Sequence, residues 1–173
     1  MLTRWLVATF FLFAFGDLAT AQIQLPGTVW SVFEERKGSV SGIGKDEQSG
    51  TLRVEFLQGN QFTAFDAALN ATYTGTYAPK GSGYTYTLSP ASLNLLEAGY
   101  KDWIEAALRG LGLSISVKVQ ITSYAGKGKV KFDRRSGSYV LFLSSKVSFE
   151  VMASGYRTRK GKASTRAGGP QVI

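Results

Sequence analysis

The chain has 173 residues, a formal net charge of +8, and neither histidine nor cysteine. The missing histidine removes His-based triads, His general bases and His-ligated metals. The missing cysteine removes thiol catalysis, the usual zinc sites, disulfides and a lipid anchor on an N-terminal cysteine.

In chain order, residues 1–21 read as a secretory signal. Arg4 supplies the positive charge, residues 5–15 are apolar, and Ala19, Thr20 and Ala21 fit a small-residue cleavage site. That apolar run is well short of the roughly 20 residues of a membrane-spanning helix. The expectation is a secreted or periplasmic protein beginning at Gln22, with no transmembrane segment in its mature part. Residues 22–155 then suffice for a single β domain able to bury about 70% of its unfolded surface.

The run TVWSVFEER at 28–36 is the first strand candidate, and the Gly- and Ser-rich stretch 37–50 reads as a long loop or weak hairpin. Residues 51–57 alternate cleanly, with Leu52, Val54 and Phe56 on one face. Gly59 and Asn60 turn the chain into 61–66, and further strands follow at 72–77 and 84–88. Tyr73, Gly75 and Tyr77 share a face, and Tyr84 and Tyr86 continue it. Such rings can lie across the gap left by Gly75.

The period changes at 92–109, where Leu93, Leu96, Tyr100, Trp103, Ile104 and Leu108 fall at helical spacing. Ser92 suits an N-cap and Gly110 the position after the helix. Gly99, in its middle, is read as a point of close contact with the sheet. Strands are then expected at 113–121, 127–132, 138–143 and 146–153, the last two as one bent strand or a pair. Residues 156–173 are basic and poor in large apolar side chains, which reads as a flexible tail.

About eight or nine evenly spaced short strands with tight links predict a mainly β fold. The expected architecture is an antiparallel up-and-down barrel with one inserted amphipathic helix, a sandwich being the alternative. The run GTVW ending at Trp30, GTLRVEF from Gly50, Gly59 to Phe62, and Tyr73 to Tyr77 resemble a bacterial lipocalin-like (calycin-type) barrel over roughly a third of the chain. Two features depart from that family. An extra residue separates Gly27 from Trp30, and the helix interrupts the strands instead of following them. The resemblance implies a binding barrel, with a late basic side chain such as Arg157 packed on Trp30.

Three residue sets are candidates for function. Trp30, Tyr73, Tyr77, Tyr84 and Tyr86 either line a ligand cavity or fill a core. Lys127, Lys129 and Lys131 share one strand face, Arg134 and Arg135 follow in a turn, and Arg157, Arg159, Lys160, Lys162 and Arg166 come later. From Gly110 onward there are 12 basic and 2 acidic residues, against 7 and 9 between Gln22 and Arg109. This C-terminal excess either serves solubility or meets an anionic lipid or polysaccharide surface. Few aromatic residues lie among these cations, which disfavours nucleic acid.

The third set is carboxylates. Adjacent Glu34 and Glu35 point to opposite faces of a strand and cannot form a simple pair. Asp46 and Glu47 lack calcium-loop spacing, and Asp102 and Glu105 read as a solvated helix face. The sequence therefore predicts a non-enzymatic binding protein without cofactor or metal. It would hold a small apolar or amphipathic ligand inside a barrel; the alternative is a module docking anionic surfaces through its basic half.

Overall fold

The computed structural model describes residues 24–172; the expected signal at 1–21 lies outside the described residues. Eight strands form one closed sheet: β1 (Val29–Val40), β2 (Gly44–Leu57), β3 (Gln61–Asp66), β4 (Ala71–Lys80), β5 (Gly83–Leu88), β6 (Lys118–Asp133), β7 (Ser138–Met152) and β8 (Arg159–Val172). Each pairs antiparallel with its sequence neighbours, and β8 closes on β1. The fold is an up-and-down barrel, an architecture consistent with calycins. One helix, α1 (Pro90–Gly110), is inserted between β5 and β6.

Alternation builds the barrel. Along β1, Trp30, Val32, Glu34 and Arg36 point inward while Ser31, Phe33, Glu35 and Lys37 point out. On the opposing strand, Val54 and Phe56 supply the matching inward face. The stretch 37–50 is a hairpin: β1 and β2 stay in register out to Val40 and Gly44. One end of the barrel is plugged by Leu25 and Trp30, both buried. Gly27, at φ +82°, lets the chain bend across this end, and its N–H donates to Phe56 O at 2.7 Å.

Helix α1 covers the other end. Its N-cap is Ser89, whose hydroxyl accepts from Ser92 N at 3.2 Å, and Pro90 occupies the first turn. Ser92 itself is buried and accepts from Thr74 N at 2.7 Å, which pins the helix start to β4. Gly110 is still helical, and Gly112, at φ +78°, supplies the left-handed turn that ends it. Ile104 and Leu108 pack on Val117, Val119, Phe149 and Val151 in a second core cluster, and Tyr100 stacks on Phe149 at 4.7 Å.

Four expectations change. No atom would contact a Cβ on Gly99, so this glycine marks no approach to the sheet; the close contact is at Gly38, under Trp103. Glu105 is not free in solvent: it accepts from Val117 N at 3.0 Å and Ser116 Oγ at 3.1 Å, tethering the irregular lead-in to β6. Residues 113–117 are that lead-in and not a strand; β6 begins at Lys118 and runs unbroken through 127–132, with one irregularity at 122 where Ile121 N donates to Glu97 at 2.7 Å.

The fourth correction is the tail. Residues 159–172 are strand β8, paired on both sides. Its inward positions are Gly161, Ala163, Thr165 and Ala167, small because large neighbours fill the space: the Phe149 ring lies where a Gly161 side chain would go. Low apolar content there reflects tight packing, not disorder.

Candidate functional site

The barrel encloses a cavity of about 90 Å³. Its wall is largely apolar, with Leu52, Val54, Leu88 and Leu143 from the strands and Leu96 and Tyr100 from α1 as a roof. Phe56 meets Tyr77 and Tyr84, and Phe62 meets Tyr86, edge-to-face with centroids 5.1–5.7 Å apart. Tyr84 and Tyr86 lie across Gly128 and Gly126 of β6, while Gly75 is covered by Phe62. The ring-over-glycine device is present, but on other partners than the sequence implied.

The polar end of the cavity is a buried ion cluster. Arg36 donates through Nη2 to Glu34 Oε1 and to Asp66 Oδ2. Asp66 ends β3, and its Oδ1 accepts from the backbone N–H groups of Ala68 at 2.9 Å and Leu69 at 3.2 Å, fixing the β3–β4 turn. Glu34 and Asp66 are closed off, whereas Arg36 keeps 25% of its side chain accessible. Glu34 and Arg36 line the cavity. All the hydrogen bonds Arg36 makes with described residues use one nitrogen, so its remaining donors are free for a polar group in the cavity.

Burial pushes the Glu34 pKa up; the hydrogen bond and charge of Arg36 oppose this, and the charge of Asp66 adds to it. Burial works against the Arg36 charge, but its bonds to both carboxylates outweigh that and raise its pKa. Burial also pushes Tyr100 up to about 12, and raises Tyr73 and Tyr84. Every tyrosine of the wall is therefore a neutral hydroxyl near pH 7. Asp66 does not line the cavity, so Glu34 is the carboxylate that meets it among the described residues. Among the described residues no three His, Cys, Asp or Glu side chains cluster to hold a metal.

Of the aromatic candidates, Tyr73, Tyr84 and Tyr86 line the cavity; Trp30 and Tyr77 are buried but do not. Trp30 Nε1 donates to Thr28 Oγ1 at 2.8 Å. Arg157 lies in the β7–β8 connection, at the far end of β8 from Gln171, the residue opposite Trp30. The Tyr77 and Tyr84 hydroxyls are buried without partners among the described residues. Tyr86 reaches Ser144 O at 3.2 Å.

The basic candidates all lie on the outside. Lys127, Lys129 and Lys131 are exposed on β6, Arg134 and Arg135 in the β6–β7 turn, and Lys160, Lys162 and Arg166 on β8. Arg157 is exposed, and the Arg159 guanidinium lies beside Gly42. Strand register joins the sets into one face: Lys127 is opposite Ser144, whose other neighbour is Arg166, and Lys162 is opposite Ser148.

Sequence reasoning weighs Glu34 only as a pair with Glu35 and sets it aside, and it singles out neither Arg36 nor Asp66. The signal for Glu34 and Arg36 is present, since both continue the inward alternation of Trp30 and Val32. No family model, curated protein or solved structure matches this chain.

Proposed function

We propose that this protein is an exported, non-enzymatic, lipocalin-like carrier of a small apolar or amphipathic ligand in its barrel. One observation supports the reading most: an apolar cavity ends on Arg36, which is paired to the buried Glu34 and keeps unused guanidinium donors. Arg36 keeps 25% of its side chain accessible, so those donors can meet a ligand oxygen in a charge-assisted hydrogen bond.

Volume bounds the ligand. About 90 Å³ holds several waters, but is less than the 150 Å³ that accommodates benzene in an apolar cavity and below the roughly 300 Å³ of common ligand pockets. A slim ligand, or one that lifts Leu96 and Tyr100 with the helix, is required. A bulky ring system does not fit.

Native mass spectrometry of protein from its own host tests this. The expected result is a co-purifying small molecule; a chain that is ligand-free there and binds no amphiphile when titrated overturns the proposal. Export is tested by the N-terminus of the isolated protein, expected at Gln22. A chain retained in the cytoplasm with Met1 intact overturns that part.

A further inference from the structure

The β6–β7 hairpin reaches beyond its neighbours. β5 pairs with β6 only at Gly126–Gly128, and β8 pairs with β7 no further than Val140. The last residues of β6 and the first of β7 therefore pair only with each other. Asp133 closes the turn, accepting from Arg135 N at 3.0 Å and Ser136 Oγ at 2.8 Å, with Gly137 at φ +65°.

The tip is two-sided. Phe132 and Tyr139 face each other across the strands with ring centroids 5.1 Å apart, and Phe132 is 54% exposed. Their alternation is that of the barrel interior, but they stand past the point where the barrel supplies a core. Lys129 and Lys131 project from the other face, and Arg134 and Arg135 from the turn, all exposed. No carboxylate among the described residues lies within ion-pair distance of these four cations.

We propose that this hairpin docks the protein on an anionic phospholipid bilayer. Phe132 and Tyr139 enter the boundary between headgroups and acyl chains, where aromatic side chains are favoured. The four cations lie among the phosphates, and their attraction decays over a Debye length of about 8 Å at physiological salt. Polysaccharide or nucleic acid would be drawn by the same charges. It would leave the Phe132 ring without an apolar environment, and rings tilted at 66° to each other make a poor base-stacking platform. The proposal is independent of what the barrel holds.

The test is co-flotation of the purified chain with phosphatidylcholine vesicles containing about 30% phosphatidylglycerol, set against neutral vesicles, which measure binding through other apolar segments. The expected result is binding to the anionic vesicles that falls at least tenfold between 50 and 500 mM salt, as counterion screening requires. Phe132→Ser with Tyr139→Ser should weaken it about tenfold at fixed salt. Phe132→Trp should keep it, with the new indole emission quenched by brominated lipid. Circular dichroism checks that the variants keep the barrel. Wild-type binding by the double serine variant, an unquenched indole, no preference for anionic vesicles, or binding to heparin or RNA as tight as to vesicles and indifferent to the serine changes overturns the proposal.

Discussion

Arg36 holds together two buried carboxylates that would otherwise repel. Replacing it with methionine leaves Glu34 and Asp66 buried and unpaired, which typically costs about 3–5 kcal/mol. Arg36→Met should therefore lower the urea midpoint severely, and adding Glu34→Gln should recover part of the loss. The effect of Glu34→Gln alone depends on pH. The folded state raises the Glu34 pKa, chiefly by burial, so the native protein binds this proton more tightly than the unfolded chain. The stabilising contribution is full below the ordinary glutamate pKa and is lost as pH rises through the raised folded value. Urea midpoints of wild type and Glu34→Gln should differ least in acid, with the variant gaining steadily on wild type toward neutral pH. A difference constant with pH would show that Glu34 keeps an ordinary pKa. Tyr77 carries a different cost: its buried hydroxyl lacks a partner among the described residues and does not line the cavity. Tyr77→Phe should leave stability unchanged or raise it by up to about 1 kcal/mol, measured as a Tm shift without loss of ligand.

At the level of elements, glycines separate free positions from packed ones. Gly99 is exposed in the middle of α1, with open space where a side chain would go. Gly99→Ala should stabilise by about 0.5–1 kcal/mol, the helix propensity difference. Gly128 sits under Tyr84, and an added methyl would enter the ring. Gly128→Ala should destabilise by about 1–3 kcal/mol through overpacking; equal effects from the two substitutions would contradict this packing. The same contrast explains what was legible in the sequence. Residues 28–36 of β1, 51–57 of β2, strands β3 to β5 and helix α1 announce themselves because large apolar residues recur at the period of the element, whereas the Gly- and Ser-rich hairpin between β1 and β2 does not. Nor does the last strand, because Gly161 and Ala163 yield their space to Phe149 and its neighbours. Gly169 goes further and brings β8 so close to β1 that a side chain would strike the Ser31 carbonyl. The site was half legible for a related reason. Glu34 and Arg36 are two apart on one strand, but Asp66 joins them only through registers that set Glu34 opposite Gly50 and Leu52 opposite Asp66.

For the whole molecule, closure does the work that disulfides do in many small exported domains. Every strand has two hydrogen-bonded neighbours, and the edge left most open is that of β6, which β5 pairs only at Gly126–Gly128. The join between β8 and β1 carries the closure: the two strands pair from Val40 with Gly161 to Val29 with Val172, with a gap at Ser31 and Val32 beside Pro170, which has no N–H to donate. Closure also brings the acidic-leaning first half against the basic second half, with Glu35 opposite Arg166. Removing residues 159–173 would strip partners from both β1 and β7, expose two long edges and open the cavity. A chain ending at 158 should show no cooperative urea transition and should aggregate. Replacing Lys160, Lys162 and Arg166 together with glutamine leaves the backbone pairing intact and changes only outward side chains, so each change should shift stability by no more than about 0.5 kcal/mol. Circular dichroism and urea unfolding of the two variants separate the roles. If the shortened chain unfolded cooperatively from a wild-type spectrum, β8 would be an accessory and the barrel would close without it. Loss of folding in the glutamine variant would instead make the charges part of the fold.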